Sequence, residues 1–336
     1  MAGLGRTGLD VFPLCLGGNA FGWTADEQGS RAVLDAYTAV GGNFVDTANC
    51  YMVEHGRSET IIGRWLAERG SRDQVVLATK VGGGPSGPYR NLRPETIEHE
   101  AHASLERLQT DYIDLYYAHR DDPDIPQEKY LRAFDALVQA GTVRHLAASN
   151  FTPERLRSAL KLQRELGLAE FAVLQPHYNL LERDFEDTLL PVARDWDLPV
   201  LPYFALASGF LTGKYRPGGP DVDSPRAQRA RGYLGKGGAA VLDVLDEVAA
   251  AHETTVAAVA LAWLLTRPQV AAPIASARTT QQLEQILPAV SLTLAPEETE
   301  RLAEQHRKDA RHGRYTACRA RHRADQLRRH RRAGTA

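Results

Sequence analysis

Cysteine is nearly missing from this chain: Cys15, Cys50 and Cys318 are the only three in 336 residues. They are too few and too scattered for a disulfide framework or a zinc knuckle, which points to a reducing, cytoplasmic setting. No stretch approaches the roughly 18 to 20 apolar residues that a membrane helix needs, so no membrane partner is expected. The N-terminus has no basic segment followed by an apolar one, so no secretory signal is expected. What remains, at 43% hydrophobic and 24% charged residues, describes a soluble globular protein with a sizeable core, of one large domain or two ordinary ones. The formal charge of −2 conceals an uneven distribution. From Arg307 onward eleven basic residues face only Asp309 and Asp325, a net +9 that leaves the first 306 residues at −11.

The chain alternates. Leu4–Val11 reads as a hairpin turning through Thr7-Gly8, and a short apolar strand follows to Leu16. Helical spacing is then expected over 26–40, 58–69 (with Ser58 as N-cap), 94–108, 127–140, 153–166, 184–196, 239–251, 255–266, 279–287 and 296–305. Between these lie apolar runs of strand length near 43, 75, 112, 143, 171, 199 and 270. The run near 14 belongs either to the same series or to an N-terminal cap, so seven or eight βα units are counted. That number in one domain favours a closed (β/α)8 barrel over two doubly wound sheets. The expected domain spans 1–305. The basic stretch 306–336 has no apolar periodicity and reads as a disordered tail.

In a parallel barrel every strand ends at the same mouth. The strand at 44–46 ends on Asp46, with Tyr51 five residues later; the next two end on Lys80 and His119. An ammonium about 4 Å from a phenol at an effective dielectric of ~20 favours phenolate by about 4 kcal/mol, before desolvation opposes it. Lys80 supplies that charge, Asp46 keeps Lys80 protonated, and a neutral His119 donates a hydrogen bond to a substrate oxygen. The set suits a carbonyl becoming an alkoxide. No strand exit offers a Ser or Cys nucleophile with a base, so the electron pair must come from a hydride donor such as a reduced nicotinamide.

These residues carry a resemblance. Phe44-Val45-Asp46-Thr47-Ala48-Asn49-Cys50-Tyr51, Gly56-Arg57-Ser58-Glu59, Thr79-Lys80, Asp111–His119, Ser149-Asn150-Phe151 and Gly209–Tyr215 resemble, in order, the aldo-keto reductases. The resemblance extends to bacterial, sugar-reductase and channel-subunit members, and it covers residues 3 to about 303. It implies a (β/α)8 TIM barrel with a hairpin plug and extra C-terminal helices, an NADPH cofactor (NADH less so), and Asp46, Tyr51, Lys80 and His119 as a catalytic tetrad with Tyr51 as general acid. It also implies that Ser149, Asn150 and Gln175 hold the nicotinamide amide and that Tyr203 stacks on the ring. Leu206, Gly209, Leu211, Gly213 and Lys214 would line the pyrophosphate. Ser276, Ala277, Arg278, Gln282 and Gln285 would grip the adenosine end, Arg278 pairing with a 2′-phosphate.

Two stretches depart from the family pattern: Phe204-Ala205-Leu206-Ala207, and Gln285-Ile286, where Ile286 has no donor for an adenine. Trp23, Met52, His55, Tyr89, Asp121 and the 206–235 loop are candidate substrate contacts. Gly82–Gly87 spells a dinucleotide fingerprint, but Pro85 and Pro88 deny the helix it must open. His99 and His102 lack a third metal ligand, and no metal is expected. The basic tail offers an electrostatic route to nucleic acid, but no nucleic-acid fold accompanies it. The expected function is reduction of an aldehyde or ketone. The alternatives are reduction of a keto sugar or enone in a biosynthetic pathway, or a cofactor-sensing subunit with weak catalysis. Neither the carbonyl substrate nor the oligomeric state follows from the sequence.

Overall fold

A computed structural model of the chain describes residues 1–51, 55–84 and 89–305; the basic segment 306–336, Met52 and positions 85–88 lie outside the described residues. Strands β1 (Ala2–Gly3) and β2 (Asp10–Val11) form an antiparallel hairpin. Its connection is a 3-10 turn over Gly5–Thr7 followed by Gly8 at φ 71°, where a left-handed backbone suits glycine. The strands β3 (Cys15–Gly17), β4 (Phe44–Asp46), β5 (Val76–Val81), β6 (Ile113–Ala118), β7 (Val143–Ser149), β8 (Phe171–Gln175) and β9 (Ile274–Ala275) make one parallel sheet, ordered β8-β7-β6-β5-β4-β3-β9. The strand near 14 is therefore a barrel strand, not part of the cap.

The ring closes through residues 199–203. Leu174 donates to Pro199 O at 3.0 Å and Leu201 to Leu174 O at 2.9 Å. On the other side Ala271 donates to Val200 O at 3.0 Å and Ile274 to Pro202 O at 2.9 Å. Pro199, Pro202 and Pro273 have no N–H to give, so this arc of the ladder survives as isolated bridges and β9 shrinks to two residues. The result is the (β/α)8 architecture with seven full strands and a bridged eighth.

The helices pack around this ring: α1 (Glu27–Ala39), α2 (Arg57–Arg69), α3 (Pro94–Leu108), α4 (Gln127–Gln139), α5 (Pro153–Glu165), α6 (Asp184–Asp187), α7 (Leu189–Asp195), α8 (Ala227–Arg231), α9 (Gly238–Ala251), α10 (Val256–Leu265), α11 (Thr280–Ile286) and a twelfth over 296–305. Two differ from expectation. The helix foreseen at 184–196 is broken at Thr188, because Pro191 cannot donate to the carbonyl of Asp187 and its ring crowds that oxygen. Ser58 is not the cap of α2; Gly56 is, at φ 77°. Ser58 sits inside the helix, accepting from Thr47 Oγ1 and donating to Gly18 O, both at 2.8 Å.

Strand alternation divides the apolar residues into two cores. Ala78, Leu115, Ala147, Val173, Leu201 and Ala272 fill the barrel, whereas Leu77, Val81, Tyr116 and Leu146 face the helices. The hairpin plugs the bottom: Leu4 and Val11 are fully buried in the inner core, and Arg6 donates to Phe171 O at the start of β8. Leu4→Ala is expected to cost about 2–5 kcal/mol, as a buried Leu truncation does despite the residue's place near the terminus; urea denaturation measures it.

Candidate active site

The four exit residues meet at the mouth. In β5, Ala78 and Lys80 point inward, Lys80 lying beside Tyr117 of β6 in register. Lys80 is completely buried. Its Nζ donates to Asp46 Oδ2 at 2.6 Å, to the Thr47 carbonyl at 2.6 Å and to the Tyr51 hydroxyl at 3.2 Å. These use all three ammonium protons. The other oxygen of Asp46 accepts from Gln175 Nε2 at 2.9 Å, so β4, β5 and β8 are tied together at their ends. The Tyr51 hydroxyl lies 3.4 Å from Asp46 Oδ2, and its ring stands edge-on to His119 at 6.2 Å.

Tyr51 is carried by a loop with a buried footing. Asn49 Nδ2 donates to Glu100 Oε2 at 2.7 Å, His55 Nε2 lies 2.8 Å from the same oxygen, and Gly56 N donates to Asn49 O at 2.7 Å. Burial alone would raise the Glu100 carboxyl, but His55, Asn49 and Arg107 bring it below its ordinary range. The imidazole of His119 fits because position 83 is glycine: a Cβ there would lie 2.1 Å from His119 Nδ1. Burial, aided by Lys80 and Arg120, lowers the His119 pKa to about 3, so the ring is neutral at physiological pH.

The expectation that Lys80 draws Tyr51 toward phenolate is not met. Burial comes first, and the Asp46 carboxylate second, in pushing this phenol well above its ordinary value. Tyr51 is held as a protonated donor.

Asp46, Tyr51 and His119 line one end of a continuous cavity of about 590 Å³ that runs to Gln282, Gln285 and Ile286. Of the residues foreseen as cofactor contacts, Ser149, Asn150, Gln175, Tyr203, Leu206, Gly209, Lys214, Ser276, Arg278, Gln282 and Gln285 line it, whereas Leu211, Gly213 and Ala277 do not. Leu211 and Ala277 are buried in the outer core. Gly213, at φ 80°, caps a 3-10 turn beside Arg216. Asn150 donates to His119 O at 2.8 Å and accepts from the Tyr203 hydroxyl at 2.7 Å, linking the exits of β6 and β7 to the bridged strand beyond β8.

Among the candidate substrate contacts Trp23 and the 206–235 loop, through Ser208, Thr212, Ser224, Pro225 and Arg226, line the cavity, and Met52 lies outside the described residues. Asp121 turns away to a double hydrogen bond with Arg155, at 2.6 and 2.9 Å, and accepts from Tyr130. Tyr89 stacks on His99 and tilts against His55, off the cavity. Neither His99 nor any other group among the described residues forms a cluster able to hold a metal ion.

Asn19 and Arg120 line the cavity without having been foreseen, and Ser208 and Arg226 were foreseen only as part of the 206–235 loop, not by name. Asn19 follows the exit of β3 and accepts from Ser276 Oγ at 2.7 Å, so the strand-exit rule applied to β3 would have found it. Arg226 arrives on the 206–235 loop, whose path no periodicity reveals.

The far end of the cavity suits an anionic ligand. Lys214 and Arg278 line it; Arg226, also on the cavity wall, stands 5.1 Å over the Trp23 ring and feels Tyr51, between the two ends, and none of the three pairs with a carboxylate among the described residues. Burial, then Arg278 and Arg226, lowers the Lys214 ammonium; burial, Arg229 and Arg278 lower the Arg226 guanidinium. The Ser208 hydroxyl, at φ 58°, is buried without a hydrogen-bond partner on the same wall. An orphaned buried donor and crowded cations both gain from bound phosphate oxygens. The residues present thus fit an elongated phosphate-bearing cofactor, with the proton-handling cluster at its opposite end.

A parallel barrel with a titratable cluster and a cationic cleft at one mouth is an enzyme scaffold shared by several reaction classes, and the comparisons with known proteins narrow it to the oxidoreductases. The family model described as "Aldo/keto reductase family" matches residues 13–307, and the chain belongs to that family. It is 38% identical over 306 residues to the oxidoreductase YrpG of Bacillus subtilis, covering 88% of this chain and 92% of that protein. It is 34% identical over 304 residues to the aldo-keto reductase YhdN of the same organism, covering 87% of each. To norsolorinic acid reductase B of Aspergillus parasiticus it is 33% identical over 308 residues, covering 86% of this chain and 79% of that one.

The lowered His119 pKa predicts a stability signature. Below about 6.5 the unfolded chain protonates this imidazole while the folded chain does not until about pH 3, so stability falls as pH drops through that window. The His119→Gln variant should lose up to about 1.4 kcal/mol per pH unit of that slope. Chemical denaturation of both proteins at a series of pH values between 6.5 and 4 measures the difference.

Proposed function

We propose that the protein is an NADPH-dependent reductase of aldehydes or ketones acting on a small-molecule carbonyl in the cytoplasm. The observation that carries this reading is the Lys80 ammonium shared between Asp46 and the Tyr51 hydroxyl, beside a neutral His119. A reduced nicotinamide, when bound, supplies a hydride from C4. Everything else is done by the chain. His119 and the Tyr51 O–H hydrogen-bond the substrate oxygen, and as negative charge gathers there Tyr51 gives up its proton. Lys80 then lies against the new phenolate, where an ion pair near 3–4 Å at a dielectric of ~20 is worth about 4–5 kcal/mol. Because Tyr51 holds its proton tightly in the resting site, the donor is loaded throughout the neutral range. The reverse reaction needs phenolate and should speed up as pH rises.

Ser149, Asn150 and Gln175 are the groups suited to hold the nicotinamide amide, with Tyr203 beside the ring; Lys214 and Arg226 suit the pyrophosphate. Arg278 is our reason for preferring NADPH over NADH, since only the former carries a 2′-phosphate for a guanidinium. Relatives named as norsolorinic acid reductases support reduction as the direction. No single helix among the described residues is long and apolar enough to cross a membrane.

Two measurements test this. Tyr51→Phe should lower kcat for a generic aldehyde by 10²-fold or more, the scale of a general acid's contribution; turnover at the wild-type rate sinks the mechanism. Arg278→Ala removes a charge-assisted bond and should raise the KM for NADPH about 10- to 100-fold, with little change for NADH. Equal effects on both cofactors would remove the argument for NADPH.

A further inference from the structure

The substrate end of the cavity has a charge that its proton chemistry does not use. Arg120 follows His119 directly and lines the cavity with Trp23, Tyr51, Tyr203 and Phe204. Among the described residues the only carboxylate on the cavity wall is Asp46, already engaged by Lys80 and Gln175. The two acids that follow Arg120 in sequence are turned away from it. Asp121 is taken by Arg155 and Tyr130, and Asp122 accepts from the backbone amides of Leu92 and Asp124 at 2.9 and 3.1 Å. Among the described residues Arg120 has no ion-pair partner. It is exposed at the rim, with its charge felt by His119, Cys50 and Tyr203. A second guanidinium without an ion-pair partner among the described residues, Arg229, lies 4.3 Å above the Phe204 ring on the same side. The chain up to residue 306 carries −11, so a bare cationic rim here is not a reflection of overall composition.

Resting on the reductase reading, we propose that the substrates are aromatic carbonyl compounds bearing a carboxylate. Trp23 and Phe204 would take the ring, Tyr203 being kept for the nicotinamide, and Arg120 would take the anion at the rim. The arrangement divides the labour along the ligand. The carbonyl enters toward Tyr51 and His119, the flat body lies between the aromatic side chains, and the acid stays near water, where a guanidinium pairs with it at little desolvation cost. Lys214 and Arg278 are assigned to the cofactor, and Arg226, 5.1 Å over the Trp23 ring, stands between the two anion sites.

The test compares para-carboxybenzaldehyde with its methyl ester as substrates of the full chain with NADPH. Wild type should favour the free acid in kcat/KM by about tenfold, the worth of one charge-assisted hydrogen bond. That preference should shrink as ionic strength rises. In Arg120→Gln the ratio should fall toward one. A wild-type ratio near one, or an unchanged ratio in the variant, overturns the proposal. Binding of the product acid, para-(hydroxymethyl)benzoate, followed by tryptophan fluorescence, separates the two readings. Absence of NADPH consumption with either aldehyde would sink the reductase reading, while product-acid binding weakened about tenfold in Arg120→Gln would still support the anion site. Binding equal in the two proteins would not.

Discussion

A buried ammonium with no solvent contact must find acceptors for all of its protons, and the mouth of this barrel is arranged around that requirement. Lys80 takes one acceptor from the end of β4, one from the backbone just beyond it and one from the loop that follows. Removing the Asp46 carboxylate would leave a charge stranded in a dry interior, which is far costlier than losing either of the neutral acceptors. The same bonds that neutralise the ammonium also fix Tyr51 relative to the strands. Electrostatic satisfaction and positioning are one constraint here.

The reach of sequence reasoning follows from this geometry. Strand exits were legible because a parallel barrel turns a one-dimensional rule, an apolar run ending on a polar residue, into a three-dimensional cluster. Asp46, Lys80 and His119 obey it, and Tyr51 is one short loop away. Closure of the ring was harder to read, because Pro199, Pro202 and Pro273 thin the ladder to single bridges and blur the eighth strand. Adjacency also misled. Asp121 sits two residues beyond His119, yet Arg155 draws its carboxylate out of the mouth, and Tyr89 prefers two histidines to the cavity. Arg226 was invisible because it depends on the course of a long loop without periodicity.

The electrostatic reading from spacing alone erred in sign for an identifiable reason. Counting only Lys80 makes Tyr51 more acidic. The folded chain adds burial and a carboxylate 3.4 Å from the phenol oxygen, and together these outweigh the ammonium. A phenol that resists spontaneous ionisation in this way stays protonated in the resting site. The cleft at the other end works by the opposite logic. Lys214, Arg226 and Arg278 crowd one another without counter-ions, a cost that a bound anion repays.

Position 83 has a longer reach than its size suggests. With 2.1 Å between a notional Cβ and the His119 ring, the chain leaving β5 has no freedom to vary at that step. Sequence change in the following loop can begin only beyond it. The floor of the site at His119 is thereby insulated from the drift that reshapes its rim, so the lining of the cavity can change in a descendant of this chain while the His119 ring stays where it is.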